Sequence, residues 1–149
     1  AQKLGGYYRF LHLPDGLSGA AADELARLPQ VREPLELVRH ADVFLYGIGR
    51  AMELAQRRGL SASERDRLAQ EGAVAEALGF YINAQGRVVG GGSSLAIQPE
   101  DIGRKNRAAA VAAGRAKAEA ILAVCAHHPH KLLVADEGAA LRMMELLRA

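Results

Sequence analysis

The sequence contains no tryptophan, and aromatic residues make up only 5% of its 149 residues. Its single cysteine, Cys125, excludes a disulfide within the chain and fits a reducing compartment. No apolar run approaches the roughly 18 residues of a membrane span, and the first residues lack the layout of a signal peptide. We therefore expect a cytoplasmic protein without a membrane partner.

Neither sign of charge dominates the chain. It has 19 basic and 17 acidic residues, and the basic residues are scattered rather than clustered. This distribution predicts no surface for nucleic acid or anionic lipid. The length and the 50% hydrophobic content predict one globular domain with an ample core.

Familiar catalytic and cofactor motifs are also missing. The sequence has no G-x-S-x-G motif, no Walker loop and no arrangement typical of a Ser-His-Asp triad. Gly47 and Gly49 precede a helix, but Met52 stands where a dinucleotide fingerprint has its third glycine. The histidines of segment 127–130 lack an acid or cysteine at ligand spacing, and the methionines near the C-terminus are typical of a core. We therefore expect neither a cofactor nor a metal.

What the sequence does contain is a repeated pattern, in which a short apolar strand runs through a glycine or acidic turn into an amphipathic helix. The three strands are VFLYG at 43–47, AVAAG at 110–114 and LLVAD at 132–136. This alternation predicts an α/β fold with a mostly parallel sheet and helices on its faces. Ligands bind such sheets at the carboxyl ends of the strands. The residues expected at that rim are Gly47, Gly49, Gly114, Lys117, Asp136 and Glu137.

Local signals predict the remaining elements. The motif formed by Ser61 and Glu64 is a capping box for a helix that ends near Gln70. The other predicted elements are a strand at Tyr8–Leu13, a turn at Pro14–Gly16, a helix from Ser18 to Leu28, a short helix at Leu35–His40 opened by Pro34, a tight turn at Gly47–Gly49, a hairpin of Phe80–Asn83 and Arg87–Val89, a flexible exit at Gly90–Ser94, and a C-terminal helix whose apolar stripe is Ala140, Met143, Met144 and Leu147.

Lys117 lies in the first turn of the helix that follows Gly114. Unpaired N–H groups and the positive end of the helix dipole make this turn suited to an anion. Side chains lean toward the N-terminus of a helix, so the amine of Lys117 is aimed back at the glycine turn. The alternative is a solvated lysine whose methylene groups cover an apolar edge.

Arg57, Arg58 and Glu76 are further candidates for a binding site. Arg57 either forms a surface pair with Glu53, four residues earlier, or one of the two guanidinium groups binds a phosphate. Glu76 is surrounded in sequence by alanine, valine and leucine, and a carboxylate in apolar surroundings needs a partner. That partner is either a buried arginine or the hydroxyl groups of a ligand.

Four blocks together resemble the effector-binding domain of SorC-type bacterial transcription regulators, and the branch that regulates glycolytic genes is most alike. The blocks are GIGRAMELAQRR, GAVAEALGFYINAQGRVV, AVAAGRAKAEAI and LLVADEGAALRMM, and the resemblance runs from about Tyr8 to Leu147. It implies a three-layer α/β/α sandwich with a Rossmann-like sheet, similar to sugar-phosphate isomerases and deaminases. It also implies that catalysis has been lost and that a phosphorylated sugar alters oligomerisation and operator binding.

The resemblance assigns roles to individual residues. The family's arginine after the G-I-G helix falls on Arg57, with Arg58 beside it, its glutamate on Glu76 and its lysine on Lys117. These cations would neutralise the phosphate, and Glu76 would accept hydrogen bonds from sugar hydroxyls. The glycines 47, 49 and 114 complete the expected ligand-binding set, while alanines at 75 and 113 replace two family glycines and narrow the pocket by a methyl group each.

The resemblance further implies that residues 1–149 are the C-terminal part of an effector-binding domain in a homo-oligomer, a dimer or a tetramer. The first half of that domain and the DNA-binding segment would be absent here, so operator DNA would be a partner only through the missing N-terminal segment. Two other hypotheses remain open. One is an isomerase or deaminase with Glu76 or Asp136 as general base, and the other is a dimerisation fragment without a ligand.

Overall fold

The computed structural model describes residues 1–11, 13, 17, 19–92, 95, 97–102, 107–127 and 132–148. In chain order, the elements of this part are α1 (Gly19–Arg27), α2 (Pro29–Arg39), β1 (Val43–Arg50), α3 (Ala51–Arg57), α4 (Ala62–Gln70), β2 (Ala73–Ala77), β3 (Phe80–Asn83), β4 (Val88–Gly91), α5 (Pro99–Ile102), β5 (Arg107–Ala112), α6 (Ala118–His127), β6 (Leu132–Ala135) and α7 (Glu137–Arg148). Short 3-10 turns lie at Gln2–Leu4 and Arg115–Lys117. None of these helices is both long and apolar enough to cross a bilayer.

The strands form one mixed sheet in the order β4-β3-β2-β1-β5-β6. β1, β5 and β6 are parallel, whereas β2, β3 and β4 follow one another as antiparallel neighbours, and β2 pairs antiparallel with β1. The prediction of a mostly parallel sheet is therefore wrong. Residues 73–77 carried no predicted element, but they form β2. Its antiparallel pairing with β1 and β3 makes the sheet mixed.

The predicted turn at Gly47–Gly49 is also wrong, because β1 continues through these residues to Arg50. Pairing with β2 extends the strand, and Gly49 lies directly opposite Glu76. A β-carbon on Gly49 would lie 2.2 Å from Leu54 Cδ1. Glycine at this position therefore lets α3 pack closely on the end of β1.

Helices cover both faces of the sheet, which makes the fold a three-layer α/β structure. On one face α6 packs against β1, β2 and β3, and α7 lies beside α6. Ile121 of α6 is fully buried there with Tyr46 and Ala110. On the other face, α3 and α4 pack on the antiparallel strands through Ala55 and Leu68.

The parallel strands remain open on the α3 side of the sheet. Apolar side chains there are between 38% and 67% exposed, and they are Val43, Leu45, Val111, Leu132 and Val134. The strand register places Leu132 and Val134 beside Ala109 and Val111, which in turn lie beside Leu45 and Gly47. These residues form one apolar patch, although parallel sheets usually have both faces covered.

In the N-terminal third, α1 matches the predicted helix, but the segment before it and the start of α2 differ from the prediction. Tyr8–Leu11 and Leu13 do not form a strand, and the side chains of Tyr8 and Phe10 are exposed. The predicted turn at 14–16 and the cap at residue 18 lie outside the described residues. α2 begins at Pro29 rather than near Pro34, because Pro29 takes the first helical position, which tolerates proline, and the helix accommodates Pro34 in its interior.

The capping box of α4 is confirmed. Ser61 Oγ accepts a hydrogen bond from the N–H of Glu64 at 3.3 Å, and Glu64 Oε2 accepts one from the N–H of Ser61 at 2.8 Å. Two orphan N–H groups at the helix start are thereby satisfied. The capping box thus acts locally, as the spacing of the two residues predicts.

In the second half, one prediction is wrong and another holds only in part. Gly90 and Gly91 belong to β4 rather than to a flexible exit, because they pair with β3. In α7 the predicted stripe is only half right, since Met143 packs on the core while Met144 is 48% and Leu147 73% exposed.

Candidate functional site

The candidate site lies where β1 and β5 end. Gly49 is paired with Glu76 across the sheet, and Gly47 is paired with Val111 of β5. The 3-10 turn Arg115–Lys117, which follows β5, contacts β1. The structure therefore brings the predicted rim together at the level of the backbone.

Asp136 connects this rim to α7. Its Oδ1 and Oδ2 both accept a hydrogen bond from the N–H of Gly114 at 3.0 Å, and Oδ1 also accepts one from the N–H of Ala139 at 2.9 Å. Asp136 thus caps the first turn of α7 and anchors the glycine turn after β5. The amide of Gly114, in the turn that was predicted to bind an anion, already donates to this carboxylate.

These hydrogen bonds make the stability of the domain dependent on Asp136. The amides of Gly114 and Ala139 lower the pKa of Asp136. A lowered pKa in the folded state adds stability above the unfolded value of about 3.9, and this stability is lost as the pH falls through the folded value. At pH 7 we expect Asp136→Asn to lower the Tm by a few degrees, and we expect the difference from the wild type to shrink below about pH 4.

Thermal unfolding between pH 3 and pH 7 checks this prediction. Asp66→Asn is the matched control, because it removes the same charge from an exposed position on α4. A difference in Tm that stays constant across the pH range would contradict the assigned role of Asp136.

Arg115, at the start of the same turn, is held by α7. Its Nη2 donates to both carboxylate oxygens of Glu145, at 3.0 and 2.7 Å, and Arg142 donates to Oε2 at 2.8 Å. Hydrogen bonds from Arg142 and Arg115 lower the pKa of Glu145. Glu145 is therefore paired with two arginines, and the described part of the chain shows no ion pair between it and Lys117.

Lys117 is half-buried and forms no ion pair with any described residue. Its backbone N–H donates to Gly114 O at 2.9 Å, which closes the 3-10 turn. The two carboxylates associated with this turn, Asp136 and Glu145, are engaged by other donors. In the part of the chain that the structure describes, Lys117 thus differs from Arg115, which is paired with Glu145.

Glu76 is buried and is paired with an arginine, which was one of the two partners expected for it. Its side chain is 6% exposed, and Oε1 accepts a hydrogen bond from Arg58 Nη2 at 3.0 Å. The N–H of Gly79 donates to the same oxygen at 2.6 Å. Arg58 is thereby directed to Glu76, and its side chain is 31% exposed.

Arg57, the neighbour of Arg58, is exposed and has no ion pair among the residues that the structure describes. The surface pair expected between Glu53 and Arg57 is absent, because Arg50 forms an ion pair with Glu53 instead. Arg57 is thus available to a ligand. The structure shows Arg58 with Glu76, and it shows no contact that joins Arg57 or Lys117 to that pair within the described part of the chain.

Sequence reasoning missed the amide of Gly79 as a partner of Glu76. Leu78 and Gly79 both have positive φ, of 58° and 86°, and form the tight turn between β2 and β3. Two residues ending in glycine between AVAEA and FYIN are a hairpin signal that could have revealed β2. No group of three or more metal-ligating side chains is present in the described part, and residues 128 and 130 of the histidine segment lie outside it.

Comparison with known proteins identifies the family. The Sugar-bind family, a sugar-binding domain, matches residues 1–145. The central glycolytic genes regulator of Bacillus subtilis is 38% identical over 144 residues, which are 97% of this chain and 42% of that protein. The corresponding regulator of Priestia megaterium is 37% identical over 140 residues, covering 94% of this chain and 41% of the relative.

Solved structures agree with this result. A SorC family transcriptional regulator from Enterococcus faecalis superposes with a TM-score of 0.84 at 35% identity, over 94% of this chain and 57% of that one. The full-length sorbitol operon regulator SorC from Klebsiella pneumoniae shares the fold, with a TM-score of 0.67 at 18% identity over 81% of this chain. The chain spans about two-fifths of the curated relatives, 41% and 42% of their lengths. It belongs to the sugar-binding domain family of SorC-type transcription regulators.

Proposed function

We propose that this domain senses a phosphorylated sugar on behalf of a transcription regulator and does not transform it. The observation that carries the proposal is Lys117, a half-buried cation at the ends of the strands whose neighbouring carboxylates are already satisfied by other donors. A phosphate group would supply the missing counter-charge. Both curated relatives carry the name of a gene regulator, which favours a binding role over catalysis.

In the proposed site, different residues bind the phosphate and the hydroxyl groups of the sugar. Lys117 and Arg57 bind the phosphate, since neither has an ion pair within the described residues. Glu76 accepts hydrogen bonds from sugar hydroxyls, and Gly47, whose β-carbon would meet only Val111 O at 3.9 Å, allows a ligand to approach the end of β1 closely. In the full-length protein the sugar would shift the equilibrium between assembly states that differ in affinity for operator DNA.

The enzymatic alternative receives less support from the carboxylates. Three hydrogen bonds to the oxygens of Asp136 come from two amides, and they lower its pKa, which makes it a weak base at neutral pH. One oxygen of Glu76 is likewise engaged, by Arg58 and by Gly79. Both carboxylates are held as acceptors, which suits a binding role.

Calorimetry on the full-length natural protein tests the proposal. We expect hexose phosphates to bind and unphosphorylated hexoses to bind at least tenfold more weakly, because the charged contacts are lost. The same samples are then assayed for consumption of the sugar phosphate. Equal affinity for the two kinds of sugar, or turnover that depends on Glu76, would contradict the proposal.

A further inference from the structure

Arg58 and Glu76 form a unit with the turn between β2 and β3. Arg58 Nη2 and the N–H of Gly79 both donate to Oε1 of Glu76, at 3.0 and 2.6 Å. A β-carbon on Gly79 would lie 3.6 Å from Arg58 Nη1, so the guanidinium lies against the turn. The N–H of Gly92 donates to Gly79 O at 2.8 Å and fixes the other side of the turn.

The backbone of this turn needs such support. Leu78 has φ of 58° and Gly79 has φ of 86°, and a left-handed conformation is costly for leucine. The turn orients the Gly79 N–H toward Glu76, and Glu76 in turn ties the turn to α3 through Arg58. The position of the Glu76 carboxylate is therefore determined both by Arg58 and by the N–H of Gly79.

The two oxygens of Glu76 have different environments. Both hydrogen bonds go to Oε1, and no described residue donates one to Oε2. A buried carboxylate is tolerated only with a counter-charge and hydrogen bonds, which Arg58 and Gly79 provide on one side. An ionised carboxylate retains acceptor capacity at its second oxygen, so Oε2 can receive a hydroxyl group.

We propose that Arg58 is a positioning residue, which holds Glu76 so that Oε2 is presented to a hydroxyl of the sugar, and that Arg58 does not contact the phosphate. This inference rests on the proposed function and changes the role that the resemblance implies, in which Arg58 stands beside Arg57 at the phosphate. The two adjacent arginines then have separate tasks: Arg57 neutralises the ligand and Arg58 neutralises and orients the protein's own carboxylate.

The test uses the full-length natural protein and compares the Kd for a hexose phosphate with the Kd for inorganic phosphate. We expect Arg58→Gln to weaken hexose phosphate binding about tenfold and to change inorganic phosphate binding by less than about twofold. Because Arg58 acts through Glu76, the double variant Arg58→Gln with Glu76→Gln should bind hexose phosphate no more weakly than Glu76→Gln alone. Arg58→Lys, which keeps the charge, should recover affinity to within about threefold of the wild type.

Arg27→Gln is the matched control, since Arg27 is exposed in the last turn of α1. Should Arg58→Gln fail to fold, Arg58→Lys is compared with the wild type on the same two ligands, and a loss of inorganic phosphate affinity would overturn the inference. Three results for Arg58→Gln would also overturn the inference. They are an equal loss of affinity for both ligands, losses of hexose phosphate affinity that add to those of Glu76→Gln in the double variant, and an unchanged Kd for hexose phosphate. A wild type that binds neither ligand would instead refute the proposed function, and this inference with it.

Discussion

Replacing Lys117 by alanine is expected to weaken the binding of a sugar phosphate by roughly 10- to 100-fold. Hydrogen bonds to charged groups contribute about 1.5–3 kcal/mol, and about 1.4 kcal/mol corresponds to a tenfold change in Kd. The loss should be this large because Asp136 and Glu145 already accept hydrogen bonds from other donors, and no described residue forms an ion pair with the amine. Calorimetry with a hexose phosphate and with inorganic phosphate, on the full-length protein, measures both losses.

Two variants separate the phosphate contact from a general effect of charge. Lys3→Ala removes one positive charge from an exposed position near the N-terminus and should leave both affinities unchanged. Lys117→Arg keeps the charge and should retain affinity for inorganic phosphate better than Lys117→Ala does. If Lys117→Ala and Lys3→Ala bind a hexose phosphate equally well, Lys117 does not contact the ligand.

Gly91→Ala is expected to destabilise the domain by about 2–5 kcal/mol. Gly91 has φ of 77°, and its β-carbon would lie 2.1 Å from Gly79 O, which is backbone and cannot rotate away. The left-handed conformation costs about 1–2 kcal/mol for an L-residue, and the overpacking adds about 1–3 kcal/mol. The clash falls on the turn that holds Glu76, so sugar binding should weaken as well.

Gly59→Ala isolates the conformational part of this cost. Gly59 has φ of 72°, and its β-carbon would meet no atom within 4 Å. We expect this variant to lose only about 1–2 kcal/mol, since it carries the left-handed penalty without the clash. Urea unfolding of both variants checks the prediction, and equal losses of unfolding free energy would show that β4 moves to accommodate the methyl group.

Local structure was predictable where neighbouring residues determine it. The S-x-x-E spacing was sufficient for the capping box at Ser61, because both hydrogen bonds form within one helical turn. β6 lies where the apolar run LLVA predicts it, and a helix follows each of the three strands whose pattern was recognised. Apolar periodicity and turn chemistry suffice in these segments.

The sheet could not be predicted in the same way. AVAEA contains a carboxylate among small residues and only one of the β-branched residues that indicate strands, Val74, so β2 had no strong signal of its own. Its strand conformation comes from pairing with β1 on one side and β3 on the other. Because of that pairing, β1 continues past Gly47 and Gly49 to Arg50, and the sheet is mixed.

The candidate site was likewise predictable only in part. The sequence analysis identified Glu76 as a carboxylate that needs a partner, and it left open whether an arginine or a ligand would be that partner. The choice of Arg58 over Arg57 depends on which way α3 turns its last residues toward the β2–β3 turn. Likewise, the ion pair of Glu53 goes to Arg50 rather than to Arg57, although both spacings occur on a helix surface.

The amino-acid sequence by itself determined the α/β class, the capping box at Ser61 and the set of charged residues around three strand ends, because these depend on periodicity and on contacts within a few residues. Only the tertiary structure decided the order and direction of the strands, the pairing of Glu76 with Arg58, and the engagement of Asp136 by Gly114, 22 residues away. Hydrogen bonds between distant segments determine these features, and a buried charge pairs with the partner that the folded chain brings within hydrogen-bonding distance.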